Sequence, residues 1–199
     1  MADIKVFNKW STDGIDVKDA GLKDYISTSP VIVPKTGARY AKFRFHKSRV
    51  SIVERFINKL MVPGHKSGKH FKSSYYCTGK GNSAYQLTYD AFRIVEAKTK
   101  ENPVRVLVKA VENGSPREEI VSIEYGGAKY PKATECAPQR RIDIALRNLT
   151  QGAYQASFDK KTVSADAIAS ELIEAFKSSS NSNAIAKKRD LERQCDASR

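Results

Sequence analysis

Residues 102–149 read NPVRVLVKAVENGSPREEIVSIEYGGAKYPKATECAPQRRIDIALRNL, and the rest of the chain attaches to this stretch. Asn102-Pro103 is an N-cap followed by proline at the first helical position, where the missing N–H is not needed. Val104, Leu107, Val108 and Val111 recur at helical spacing and define one apolar face. Gly114-Ser115-Pro116 ends that helix, because glycine suits a left-handed cap and proline cannot continue the ladder. A second helix opens at Pro138, with Ile142, Ala145, Leu146 and Leu149 as its stripe. Between them, Arg117 to Cys136 has strand character centred on Gly126-Gly127, two residues that accept positive φ and signal a tight hairpin. In that register Tyr125 faces Ala128, Glu124 faces Lys129 and Ile123 faces Tyr130, the last two being favourable cross-strand pairs. Pro131 then lies on an edge. A lone two-stranded hairpin is marginal in water, so this one leans on its own helices or on a partner, and its length points to a partner.

Working outward, the chain predicts a mainly α fold: a bundle of about six helices with a protruding β-hairpin and an extended N-terminal arm. Residues 1–48 form the arm and a basic extension, and 49–199 the helical domain, with the hairpin at 117–136. A helix over about 49–61 rests on Val50, Val53, Phe56, Ile57 and Leu60, and Pro63-Gly64 stops it. Another starts at Ser83, whose spacing to Gln86 is that of a capping box, and runs to about Lys100. Helices over about 164–177 and 184–195 flank a Ser/Asn linker. Residues 1–34 read as an arm laid over the surface, with room for a short strand at Val31-Ile32-Val33.

Of the thirteen net positive charges, eleven fall between Tyr25 and Tyr89, where twelve Lys or Arg face a single acid, Glu54. A field this localised points to a polyanion. Residues 35–49, KTGARYAKFRFHKSR, interleave Lys35, Arg39, Lys42, Arg44, Lys47 and Arg49 with Tyr40, Phe43 and Phe45. Such cations release counterions from phosphates, and exposed rings stack on bases. Phe43 and Phe45 have a second reading, as inward anchors for the arm. Residues 63–82 form a long polar loop carrying Lys66, Lys69 and Lys72. Lys187 and Lys188 sit near the start of the last helix, where they oppose its dipole and suit an external anion.

No run of about 18 apolar residues exists to span a membrane. The start, MADIKVFNKW, lacks an apolar signal core, so secretion is not expected. Cys77, Cys136 and Cys195 match neither a disulfide scaffold nor a zinc motif, favouring reduced thiols in the cytosol. Gly64 to His70 fails the phosphate-loop pattern, with three residues between glycines where four are needed. His65, His70 and Cys77 have no fourth metal ligand at a fitting spacing and read as RNA-contacting side chains. The hairpin acids Glu118, Glu119, Glu124 and Glu135 have no pocket for paired-carboxylate chemistry. No enzyme, metal or cofactor is expected.

Several strings then stand together in order. They are Lys47-Ser48-Arg49 leading into Ile52-Val53-Glu54-Arg55, Pro63-Gly64 with Gly68-Lys69, and Asn102-Pro103 with Val106-Leu107-Val108. Glu112-Asn113 before Pro116-Arg117-Glu118-Glu119, Tyr125-Gly126-Gly127 and Pro138-Gln139-Arg140-Arg141 follow. Jointly they resemble ribosomal protein seven of the small subunit, protein five in the eukaryotic numbering, over about residues 4–199. The arm and the carboxy-terminal segments look like the archaeal–eukaryotic branch, and Ser179-Ser180-Asn181-Ser182 looks eukaryotic.

The resemblance implies a helical bundle bound to the 3′ major (head) domain of small-subunit rRNA, supporting head assembly. It implies a hairpin near messenger RNA and the exit-site transfer RNA, and ribosomal protein eleven as a neighbour. Its setting would be the cytosolic ribosome, with nucleolar assembly in a eukaryote. By position it puts rRNA contacts on Lys35, Arg39, Arg44, Lys47, Arg49, Lys66, Lys69, Arg140 and Arg141. It puts the exit-site hairpin at Tyr125, Gly126, Gly127, Lys129, Tyr130 and Lys132. Phe71 to Gly81 looks like an insertion, Ala137 stands where the family commonly has a serine cap, and the hairpin tip is less basic than in many relatives. The competing reading is a free-standing RNA-binding or RNA-chaperone protein.

Overall fold

A computed structural model describes residues 4–37, 39–65 and 72–198. Through them run α1 (Ala20–Lys23), α2 (Ile52–Leu60), α3 (Gly81–Thr99) and α4 (Pro103–Gly114), then the hairpin strands β1 (Glu118–Tyr125) and β2 (Ala128–Glu135). The chain closes with α5 (Pro138–Ser157), α6 (Ser164–Phe176) and α7 (Asn183–Ala197). The fold is mainly α with one antiparallel hairpin, as expected, and the extra helix is the single turn α1.

Asn102 accepts from the Val104 N–H at 3.0 Å and starts α4. The expected stripe is only part of what α4 buries, since Val106 and Ala110 are also fully enclosed. A helix buried nearly all round is a central one. Gly114 does not take the left-handed conformation expected of it. The chain leaves through extended Ser115, whose hydroxyl donates to the Val111 carbonyl at 2.7 Å. α6 packs on α3, α4 and α5 at once. Its buried alanines, Ala165, Ala167, Ala169 and Ala175, let three helices approach it, while Ile168 and Leu172 fill the space between. Glu171, also buried, accepts from the Ser182 hydroxyl at 2.8 Å and the Ala184 N–H at 3.1 Å, fixing the turn into α7.

The N-terminal segment differs from its expectation. It contributes to the core, with Val6, Phe7, Trp10, Leu22 and Ile26 buried. Phe7 meets Tyr85 and Trp10 meets Phe92 at 4.8 and 5.6 Å between ring centroids. Large aromatic side chains gain most from burial, and α3 supplies matching rings. No strand forms at 31–33, where Ile32 and Val33 are exposed. The predicted capping box is absent too. α3 begins two residues earlier, at Gly81, which leaves Ser83 in the first turn and Lys80 as an N-cap without a side-chain bond. α2 starts at Ile52, later than expected, because a 3-10 turn at His46–Arg49 precedes it.

Candidate nucleic-acid interface

The basic segment 35–49 has little regular structure beyond the 3-10 turns Arg39–Lys42 and His46–Arg49. Its shape is held from beneath. Glu54, the lone acid of the region, is buried and accepts from the Thr36 N–H at 2.8 Å. Arg39 Nε donates back to the Thr36 carbonyl at 3.0 Å, and Lys35 Nζ donates to Asn82 at the start of α3 at 2.9 Å. At the other end, Lys47 pairs with Asp143 of α5, and the Ser48 hydroxyl donates to Gln139 Oε1 at 2.8 Å. Arg55 reaches Asp143 at 3.2 Å and the Tyr25 carbonyl at 3.0 Å. Burial alone would raise the Asp143 pKa. The Lys47 bond and the charges of Lys47, Arg55 and Lys59 outweigh it and hold the carboxyl below its ordinary value. Burial pushes the neighbouring Lys59 ammonium down, which Asp143 only partly offsets.

Between these anchors the side chains project. Lys42, Phe43, Arg44 and Phe45 are exposed, and the Arg44 guanidinium sits 5.7 Å from the Phe45 ring centroid. The inward-anchor reading of both phenylalanines is therefore removed. Phe45 takes a left-handed φ of 56°, which turns the chain between the two 3-10 segments. Arg39, Phe43, His46 and Arg49 line a shallow cavity of about 460 Å³. Because Ser48 docks on Gln139, the segment and exposed Arg140 share the start of α5. Ala137 gives that start no side-chain cap.

The other expected contacts divide. Arg140 pairs with Glu119 of β1 at 2.7 Å. Arg141 is buried, donating to Asp19 at 2.6 Å and to the Pro116 carbonyl at 3.0 Å. Its positive charge in the first turn of a helix is thus answered within the chain, without a phosphate. The same holds for the last helix. Lys187 donates to Asn148 and Gln151, and Lys188 donates to the Asn113 carbonyl at 2.9 Å, satisfying an open carbonyl at the end of α4. Lys72 opens the 3-10 turn Lys72–Tyr76, whereas Lys66 and Lys69 lie outside the described residues. His70 does too, and His65 Nε2 is 2.9 Å from the Ser74 hydroxyl. Sequence reasoning missed Asp143 and Arg55, although a lone acid close behind the Arg140-Arg141 pair was a usable signal.

The hairpin register matches expectation from Tyr125↔Ala128 to Ile123↔Tyr130, with Gly126 and Gly127 at φ of 58° and 81°. Its base packs against α7, while residues 121–132 are exposed throughout. Val121, Ile123, Tyr125 and Tyr130 therefore present an apolar ribbon to solvent. Among the described residues no helix is long and apolar enough to cross a membrane.

The family described as Ribosomal protein S7p/S5e matches residues 22–199. The chain belongs to that family. Within S7p/S5e, it is 43% identical to the small ribosomal subunit protein uS7 of Nanoarchaeum equitans over 98% of this chain and 99% of the relative. The uS7 of Methanothermobacter thermautotrophicus is 45% identical over 94% and 95%. That of Methanococcoides burtonii is 43% identical over 98% and 99%. These relatives are archaeal, so they lend no support to the eukaryotic character expected from residues 179–182. The S7p/S5e family is structural and non-enzymatic.

Proposed function

We propose that the chain is a structural constituent of the small ribosomal subunit, bound to the 3′ major (head) domain of small-subunit rRNA and supporting head assembly. Lys35, Arg39, Lys42, Arg44, Arg49 and Arg140 form the described part of its RNA face, and Lys66 and Lys69, outside the described residues, are proposed as further RNA contacts. The hairpin reaches the transfer-RNA exit site and the messenger-RNA exit path, with ribosomal protein eleven among its neighbours. The setting is the cytosolic ribosome, with nucleolar assembly where the host is a eukaryote.

One observation carries the reading: the cations and rings of 42–45 project while the acids beneath them are engaged inward. Each phosphate neutralised contributes about 0.9 to the slope of log K against log salt on a duplex. Replacing Lys42, Arg44 and Arg49 with alanine should lower that slope by about 2–3 in binding to a head-domain rRNA fragment. An unchanged slope would move the RNA face elsewhere. Sedimentation of a tagged copy with small subunits, with and without magnesium, tests assembly separately.

A further inference from the structure

A second aromatic feature stands apart in sequence from the 35–49 segment. Tyr75 and Tyr76 are 77% and 69% exposed, their rings edge to face with centroids 6.0 Å apart. The turn beneath them is built to hold them outward. Ser74 is buried, and its carbonyl accepts from the Cys77 N–H at 3.3 Å, the Thr78 N–H at 3.0 Å and the Thr78 hydroxyl at 2.8 Å. Its own hydroxyl meets His65. The rings therefore rest on a fixed base, which reduces the ordering cost of a contact made by them.

Among the described residues, the charge set against the rings is a cation. Lys80, at the N-cap of α3, leaves the helix uncapped and lays its ammonium 4.8 Å from the Tyr75 centroid and 5.9 Å from that of Tyr76. Lys80 also lines a cavity of about 620 Å³ with Lys35 and Asn82. Glu54 is the acid on that cavity's wall, and it accepts from Thr36. Exposed rings beside the Lys80 ammonium match the pairing that single-stranded nucleic acid requires, a π-face for the base and a cation for its phosphate. A protein partner would be expected to meet the ammonium groups with acids, and nothing in the platform selects for those over phosphates.

We propose that Tyr75, Tyr76 and Lys80 form a stacking platform for one unpaired nucleotide of small-subunit rRNA, additional to the 35–49 face. The base stacks on a tyrosine ring, and Lys80 leaves the ring to meet the phosphate. That exchange is favourable because base stacking on an aromatic ring is stronger than an exposed cation–π contact. The inference rests on the rRNA-binding reading above.

The test uses the full chain and small-subunit rRNA in filter binding across a salt series. The Tyr75→Leu/Tyr76→Leu variant keeps apolar bulk and loses both π-faces. Affinity should fall by roughly 10- to 100-fold while the salt slope drops by no more than about 0.7, the share of the single Lys80–phosphate contact, because stacking itself releases no counterions. Tyr75→Phe/Tyr76→Phe should restore binding, and all variants should melt with the parent because the rings are exposed. Parent-like binding by the leucine variant overturns the platform. Normal binding to naked rRNA with loss from assembled subunits also overturns it, assigning the rings to a protein. If the parent itself fails to bind rRNA, the broader reading fails instead.

Discussion

Arg140 and Arg141 adjoin in sequence at the start of α5, and truncating each to alanine should produce opposite failures. Arg141 is 11% exposed in its side chain and donates to both Asp19 and the Pro116 carbonyl. Its loss strands a carboxylate and a carbonyl in a part-buried site. Breaking a buried pair costs about 3–5 kcal/mol, and Asp19 recovers part of its hydration, so the lower end, about 3 kcal/mol, is expected. For a chain of this size each kcal/mol lowers Tm by about 2–4 °C, giving a fall of roughly 6–12 °C. Asp19 also caps α1 through the Gly21 N–H at 2.9 Å, so the N-terminal segment should loosen first.

Arg140 is 57% exposed, and its bond to Glu119 is a surface pair contributing about 0–1 kcal/mol. Arg140→Ala should therefore melt within about 4 °C of the parent while lowering the salt slope of rRNA binding by about 0.9. Arg141→Ala should leave that slope intact wherever the protein remains folded. Thermal melts by far-UV circular dichroism and filter binding across a salt series read both quantities. An Arg141→Ala variant as stable as the parent would refute the internal assignment, as would an Arg140→Ala variant that unfolds equally.

Asp143→Asn should cost about 2–3 kcal/mol at neutral pH by removing the charge that Lys47 and Arg55 share. The folded pKa of Asp143 lies below its ordinary 3.8, so this stability is present above that value and is lost as pH falls through the folded pKa. The gap between parent and variant should narrow as pH falls below 3.8, and a gap that does not narrow in acid would contradict the assignment. Gly152→Ala would place a Cβ 2.6 Å from the Glu171 carboxyl carbon, whereas at Gly114 the nearest atom, Ala184 Cβ, is 3.4 Å away. The first should destabilise by about 1–3 kcal/mol despite the better helix former, and the second should be neutral or slightly stabilising in urea titrations. Deleting Ile123 to Tyr130 with a short glycine-containing turn should leave Tm nearly unchanged, since all of it is exposed. Retention of deacylated transfer RNA in reconstituted subunits should change; unaltered retention would remove the exit-site role.

The sequence made α4, the hairpin and α5 legible because their signals are local: a cap with proline, two glycines, and stripes at helical spacing. What it left obscure depends on distant partners. Phe7 and Trp10 lack a periodic frame of their own, and their burial follows from rings on α3 more than seventy residues away. The helix over 164–177 is legible as a helix, and only its position among three others explains why Ala167 and Ala169 are enclosed. Charge location was legible as a field but not residue by residue. Arg140 and Arg141, or Lys42 and Lys47, are equivalent as letters. Asp19 and Asp143 divide them, and neither acid is close in sequence to the cation it binds.

That division has a physical consequence for binding. A phosphate-binding face needs cations, and it also needs nearby acids kept off it. Glu54 turns under toward Thr36, Asp143 sits between Lys47 and Arg55, and Glu119 is held at the hairpin base by Arg140. The first two bonds remove negative charge from the face and tie the segment down at either end. Residues 43–45 span the gap between two 3-10 turns with no regular structure, yet both flanks are fixed, by Thr36 on one side and by Lys47 and Ser48 on the other. Much of the entropy cost of ordering the segment is thus met when the chain folds, not when it meets RNA. An irregular segment can in this way act as a preformed surface, provided the acids that anchor it are the ones its outward cations would otherwise attract.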